Sequence, residues 1–86
     1  EFLAQVHFAA AKDAFGKGKY DVALQRYGRI VEHYGSTDAA PEALYWTGVC
    51  EFKLTKDVNK INEKCRAVVE RYPGHIWAKK LAFAKA

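Results

Sequence analysis

The sequence lacks the features that would point to a membrane protein or an enzyme. No apolar run approaches the ~18 residues that suggest a membrane-spanning helix. There is no Cys-x-x-Cys spacing, no glycine-rich phosphate loop after a strand, no nucleophile elbow and no pair of carboxylates arranged for catalysis. His7, His33 and His75 have no paired spacing to a Cys, Asp or Glu that would form a metal cluster. We therefore expect no enzymatic activity, no metal or other cofactor, and no membrane insertion.

Proline and cysteine are scarce, with two of each in 86 residues, whereas apolar residues are abundant. Half of the residues are apolar, including five Phe, five Tyr and two Trp, which favours one small packed domain over disorder. The chain opens at Glu1 inside an apolar pattern that includes Leu3 and Val6. We expect residues 1–86 to form a single domain that is a piece of a longer protein.

The net charge of +4 comes from lysines and arginines that are spread along the chain. Lys56, Lys60 and Lys64 fall on one helix face by their spacing, which raises the alternative of nucleic-acid binding. Acidic residues such as Asp57 and Glu63 are interspersed among them, and there is no glycine-aromatic reader motif. We therefore expect a solvated helix face and no nucleic-acid partner.

A near-repeat organises the chain. The segment Ile30–Gly35 (IVEHYG) returns 38 residues later as Val68–Pro73 (VVERYP). The match extends upstream with a one-residue slip, which places a turn between Phe52 and Ile61, opposite the turn at residues 16–19. Self-similarity at a period of 20 to 50 residues is typical of helical repeat proteins, whose function is usually binding. The apolar residues that recur in both segments, called the echoed residues below, are predicted to form the packing layer.

Apolar spacing predicts five helices that are separated by short turns. The segments 20–34 and 58–72 each carry one apolar stripe at 3- and 4-residue spacing, with a polar opposite face. The third helix is apolar almost all round, and Pro41 fits its first turn after candidate caps at residues 35–38. Asp57 is the expected cap of the fourth helix. The predicted helices cover about residues 2–15, 20–34, 41–54, 58–72 and 76–85.

These residues resemble the tetratricopeptide repeat (TPR), a family of antiparallel helix pairs of about 34 residues. Residues 18–23 (GKYDVA) match the family's turn and second-helix start, Gly48 matches the small residue of a first helix, and Pro73 matches the helix-ending proline. Gly35 and Ile61 depart from the pattern, where the family has proline and alanine. The resemblance implies an all-α, TPR-like α-solenoid of two antiparallel helix-turn-helix hairpins and a C-terminal capping helix, with boundaries at residues 1–35, 38–73 and 75–86.

Within the family, residues 39–48 and 71–74 resemble bacterial repeats with a tyrosine-proline ending. Such repeats occur in Tol-Pal-associated and outer-membrane assembly proteins. Tyr72-Pro73 and residues 77–80 (WAKK) are also similar to the C-terminal repeats of some bacterial thioredoxin-fold proteins. The resemblance implies a docking appendage of an envelope or redox protein, and it leaves both the bacterial cytoplasm and the periplasm open as its location.

In this family the first helix of each pair lines a concave groove that binds a peptide or a partner helix. The resemblance therefore implies a non-enzymatic protein-interaction or scaffold module. Aromatic residues in such a groove supply buried area, and lysines meet acidic side chains. The alternative for Phe8, Val49 and Trp77 is that they fill the space between helices. The matched positions give these groove candidates: Phe8, Lys12, Tyr45, Val49, Lys53 and Trp77, with Gln5 and Glu42 beside them.

A second hypothesis is a structural role, in which the helices form a homodimer or brace a missing N-terminal domain. Two and a half repeats fall short of the about three that a solenoid usually needs to bury a continuous core. Helix one also has apolar residues, Phe2 and Leu3 among them, on the side where an upstream element would pack. We expect that face to contact either the missing domain or a second copy.

A third hypothesis is a thiol function at Cys50 or Cys65. In a hairpin that turns near residues 55–57, Cys65 should lie almost a helical turn beyond the residue opposite Cys50. A disulfide needs α-carbons within ~7 Å. We therefore expect two reduced, packed thiols.

Gly28, in the middle of helix two, either permits close approach of a partner or is a tolerated surface glycine.

Overall fold

The computed structural model describes the backbone of residues 2–85 and the side chains of residues 3–81; Phe2 and Phe83 lie outside the described side chains. Residues 2–85 contain five helices and no strand, so the predicted all-α class is confirmed. None of these helices is long and apolar enough to cross a membrane. The helices are α1 (Phe2–Gly16), α2 (Tyr20–His33), α3 (Ala40–Thr55), α4 (Asn59–Arg71) and α5 (Ile76–Lys85).

The five helices alternate between two layers. Each helix packs mainly against the next one along the chain, while α1 and α5 each touch α3 lightly. The fold is only 17 Å thick in its shortest direction, which leaves room for two layers of helix axes. One layer therefore holds α1, α3 and α5, and the other holds α2 and α4, as in a TPR-like helical repeat.

The echoed residues of the near-repeat form the interior. Ile30 and Val68 are both fully buried, each in its own cluster of packed side chains. Val31 and Tyr72 contact both clusters and join them into one continuous core. The prediction that the echoed positions form the packing layer agrees with this arrangement.

Gly48 sets the distance between α3 and α4. A Cβ atom at Gly48 would lie 2.8 Å from Lys64 Cβ and 3.0 Å from the Lys60 carbonyl oxygen, so only glycine fits there. The aliphatic part of Lys64 therefore packs against α3, and both Lys60 and Lys64 are half-buried. The prediction of a wholly solvated stripe through Lys56, Lys60 and Lys64 is wrong for those two lysines, because the close helix contact covers their stems.

The helix caps differ in part from the prediction. The cap of α3 is Ala39, with no side-chain hydrogen bond, rather than a residue of the segment 35–38. Asp57 acts close to its predicted role, because its carboxylate accepts the Asn59 backbone N–H at 3.0 Å, although the cap position itself is Val58. Thr37 and Asp38 of segment 35–38 make other contacts, described below.

Candidate protein-interaction groove

The layer formed by α1, α3 and α5 carries all six predicted groove residues. On α1, Phe8 and Lys12 lie one helical turn apart on the same side. On α3, Tyr45, Val49 and Lys53 follow one another at 4-residue spacing and so form one stripe. The remaining residue is Trp77, in the first turn of α5.

A cavity of about 330 Å³ opens between α1 and the turn that connects α2 to α3. Phe8 and Lys12 line it, whereas the other four predicted residues do not. Two further residues named from the sequence as neighbours of the groove, Gln5 and Glu42, also line it. The complete lining is Ala4, Gln5, Phe8, Ala9 and Lys12 from α1, Thr37, Asp38 and Ala39 from the turn, and Glu42 from α3.

The floor of the cavity is apolar. Ala4 is fully buried, and Ala39 and Phe8 are half-buried. The Phe8 ring also meets the buried Tyr27 ring edge-to-face, with centroids 5.4 Å apart. Phe8 therefore fills space between helices and at the same time presents apolar surface to the cavity. Such a floor suits an apolar side chain of a bound partner.

The rim of the cavity carries both signs of charge. Glu42 accepts a hydrogen bond from the Trp46 indole N–H at 3.2 Å, and Asp38 lies 2.8 Å from the His75 Nε2 atom. Lys12 is exposed, and no described carboxylate lies within 4 Å of its ammonium group. The two carboxylates are thus already partnered, while the Lys12 charge is available to a ligand.

Tyr45 and Trp77 form a separate feature between α3 and α5. Their rings are stacked with centroids 5.5 Å apart, and both pack against the core cluster that contains Leu44 and Val68. Burial raises the pKa of the Tyr45 hydroxyl. The Lys80 ammonium lies 5.1 Å from the Trp77 ring centroid, within cation–π range. Both aromatic residues are half-buried, so they pack between helices and still offer a partly exposed surface.

Val49 and Lys53 lie farther along α3. Val49 is half-buried, and Lys53 is exposed in the last turn of the helix. The Lys53 ammonium is 5.8 Å from the Tyr20 ring centroid, which connects the end of α3 with the start of α2. Lys53 therefore belongs to the end of the molecule where the hairpins turn, rather than to the cavity.

Sequence reasoning missed the wall formed by Thr37, Asp38 and Ala39. It treated this segment as helix caps, whereas the Thr37 hydroxyl donates to the Tyr34 carbonyl oxygen at 2.6 Å, and Asp38 contacts His75. One signal was available, because residues about one repeat apart become neighbours when repeats stack. Asp38 and His75 are 37 positions apart, close to the 38-residue period of the near-repeat.

The two cysteines are packed in the interior. Cys50 and Cys65 are both buried, and no disulfide joins them. Burial, with a smaller effect from Glu51, raises the pKa of the Cys50 thiol to about 11. The thiol therefore stays protonated at neutral pH and is a poor nucleophile. Nowhere in the described residues do three His, Cys, Asp or Glu side chains cluster in a way that could hold a metal ion.

Comparison with known families agrees with the helical-repeat architecture. Residues 42–75 match the tetratricopeptide repeat family model, a stretch that runs from the first turn of α3 to the residue before α5. The match covers 34 of the 86 residues, and repeats of this family are non-catalytic and generally mediate protein–protein interactions. No curated protein and no solved structure gives a significant match to the chain.

Proposed function

We propose that this domain binds a peptide or partner helix along the layer of α1, α3 and α5. The observation that carries the proposal is the 330 Å³ cavity beside α1, with an apolar floor and an available lysine on its rim. An apolar side chain of the partner enters beside Phe8, and an acidic residue next to it meets Lys12. Tyr45, Val49, Lys53 and Trp77 extend the contact surface along the same layer.

The test starts from a random peptide library selected against the immobilised domain. A selected peptide is then titrated against Lys12→Gln and against Arg26→Gln, a matched loss of one exposed positive charge on α2 in the other layer. Lys12→Gln should weaken binding about 5- to 10-fold, the effect of about 1 kcal/mol, while Arg26→Gln leaves it unchanged. Equal affinities of the two variants would count against this groove. Unchanged circular dichroism shows that both variants are folded.

The repeat boundaries and the parent protein belong to the same proposal. We assign residues 1–35 and 38–73 to two repeats and residues 75–86 to a capping helix, within a domain attached to a bacterial envelope or thioredoxin-fold protein. The likeness of residues 71–74 and 77–80 to such bacterial repeats supports the attachment. The gene sequence upstream of Glu1 tests it: a signal peptide or a thioredoxin Cys-x-x-Cys pattern is the expected finding, and neither would be found if the assignment is wrong.

A second candidate function is structural, as a homodimer or as a brace for a neighbouring domain. Leu3 and Val6 support it, because they are 56% and 49% exposed and lie about one turn apart on α1, away from the cavity. Light scattering after size-exclusion chromatography should then show a dimer that Val6→Glu dissociates. A monomer at high concentration would exclude the homodimer and leave bracing of a neighbouring domain as the structural alternative.

A further inference from the structure

The turns within the two hairpins lie side by side at one end of the molecule. We call this surface, residues 16–19 and 53–58, the turn end. The contact between the Lys53 ammonium and the Tyr20 ring shows that the two turns are neighbours. The cavity wall at residues 37–39 belongs to the turn between α2 and α3, at the opposite end of the helices. The turn end is thus separate from the cavity, and it shares only Lys53 with the contact surface proposed along α1, α3 and α5.

Three exposed lysines without an ion-pair partner among the described residues lie at the turn end. The turn end contains four lysines and one acidic residue, Asp57, whose carboxylate already accepts the Asn59 N–H. Lys17 pairs with Asp13 at 3.1 Å, but Lys19, Lys53 and Lys56 have no carboxylate within 4 Å among the described residues. All four lysines are exposed. The ammonium groups of Lys19, Lys53 and Lys56 therefore face solvent, with Asp21 and Glu51 as the nearest acidic residues outside the two turns in sequence.

Two residues of the second turn, Lys56 and Val58, are poor choices for stability. Lys56 has a backbone φ of +65°, in the left-handed region that favours glycine. In the first turn the residue with a positive φ is a glycine, Gly18, at +78°. Val58 occupies the cap position of α4, where valine is among the least favourable residues, and its side chain is 57% exposed. Leu54 is 49% exposed. Departures from stable choices that cluster on one surface indicate a functional constraint there.

We propose that the turn end docks on an anionic lipid surface. Exposed lysines attract anionic headgroups, and the aliphatic side chains of Leu54 and Val58 enter the boundary between headgroups and acyl chains. The type of basic residue favours a lipid surface over an acidic protein as the partner, because protein–protein interfaces are enriched in Arg and depleted in Lys. Every cation of the turn end is a lysine. Docking of this kind holds the protein at a surface without a membrane-spanning helix.

The experiment is flotation of the protein with vesicles of phosphatidylcholine alone or mixed with phosphatidylglycerol, at low and high ionic strength. The wild type should float only with the mixed vesicles, and less at high salt. Lys56→Gly removes a charge and places a glycine at the left-handed position, so the variant should stay folded. It should lower partitioning of the protein onto the mixed vesicles about 5-fold. Leu54→Ser should lower it several-fold. Arg26→Gln, the matched charge loss on α2, should leave it unchanged.

Three results would overturn the proposal. The first is no flotation with the mixed vesicles at low salt. The second is an equal loss in Arg26→Gln and Lys56→Gly, which would mean that overall charge alone drives binding. The third is capture of the domain by soluble polyglutamate without vesicle binding, which would assign the turn end to an acidic protein partner.

Discussion

The Tyr72 hydroxyl donates a hydrogen bond to the Gly35 carbonyl oxygen at 2.8 Å, although the two residues are 37 positions apart. This separation is about one repeat, so the bond ties the end of α4 to the turn that follows α2. A Cβ atom at Gly35 would lie 2.9 Å from the Val31 carbonyl oxygen, which favours glycine at this position. The bond therefore anchors the start of the turn that carries the cavity wall.

Replacing Tyr72 with Phe should lower the free energy of unfolding by about 1 kcal/mol, because it removes a hydrogen bond that is partly shielded from water. Tyr34→Phe is the matched control, since Tyr34 is the equivalent residue of the first hairpin and its hydroxyl makes no hydrogen bond within the described residues. Urea denaturation of both variants measures the difference. Equal losses in the two variants would show that the Gly35 contact contributes nothing.

His75 should contribute more to stability than its partner Asp38. The His75 Nδ1 atom accepts the Trp77 backbone N–H at 3.1 Å and so caps α5, which leaves Nε2 to donate to Asp38. His75→Ala removes both contacts and should cost about 1 kcal/mol of unfolding free energy. Asp38→Asn should cost less, because the Asp38 side chain is 98% exposed and asparagine keeps an acceptor oxygen. Urea denaturation that ranks the two variants in the reverse order would refute the capping role.

Two glycines should respond to alanine in opposite directions. A Cβ atom at Gly28 would meet nothing within 4 Å, so Gly28→Ala should raise the unfolding free energy by about 0.5–1 kcal/mol through helix propensity and a less flexible unfolded chain. Gly48→Ala should lower it by about 1–3 kcal/mol, because the methyl group would collide with Lys64 and separate α3 from α4. Thermal or urea unfolding checks both signs. A stabilising Gly48→Ala would contradict the close helix packing.

The buried Cys50 thiol makes stability fall at alkaline pH. Its pKa is raised from 9.0 to about 11, so the unfolded chain loses this proton first as the pH rises. The contribution is fully present below pH 9 and is lost between pH 9 and 11, by roughly 2–3 kcal/mol. Burial likewise raises the pKa of Tyr27 to about 12, which extends the decline to higher pH. Urea titrations across this range measure the slope, and Cys50→Ala, although less stable overall, should flatten it between pH 9 and 11. An unchanged slope in that variant would contradict the assignment to Cys50.

Much of the fold follows from the sequence because the apolar spacing is regular. The stripes of α2 and α4 indicate which faces are buried, and Ile30 and Val68 are indeed fully buried. The predicted helix ends lie within one residue of the observed ones, since Gly18 and Pro73 mark turns and Pro41 marks the first turn of α3. Local physical chemistry therefore accounts for the helices and for their order.

The geometry of the candidate groove depends on contacts that spacing does not reveal. The Tyr45 and Trp77 rings stack because α5 packs against α3. The sequence of neither helix alone predicts that contact. Asp38 and Thr37 look like helix caps locally, but Asp38 contacts His75, the residue just before α5. The stem of Lys64 is covered because Gly48 draws the helices together. These are tertiary contacts, which override local preference.

We expect a partner to bind in the cavity between α1 and the α2–α3 turn. Backbone amide chemical-shift mapping by NMR, with a selected peptide added to the labelled domain, tests it most directly. The largest shifts are expected at Ala4, Phe8, Lys12, Ala39 and Glu42, with small changes around Arg26 and Gly28 on α2. Largest shifts on α2, with the cavity residues unchanged, would contradict it.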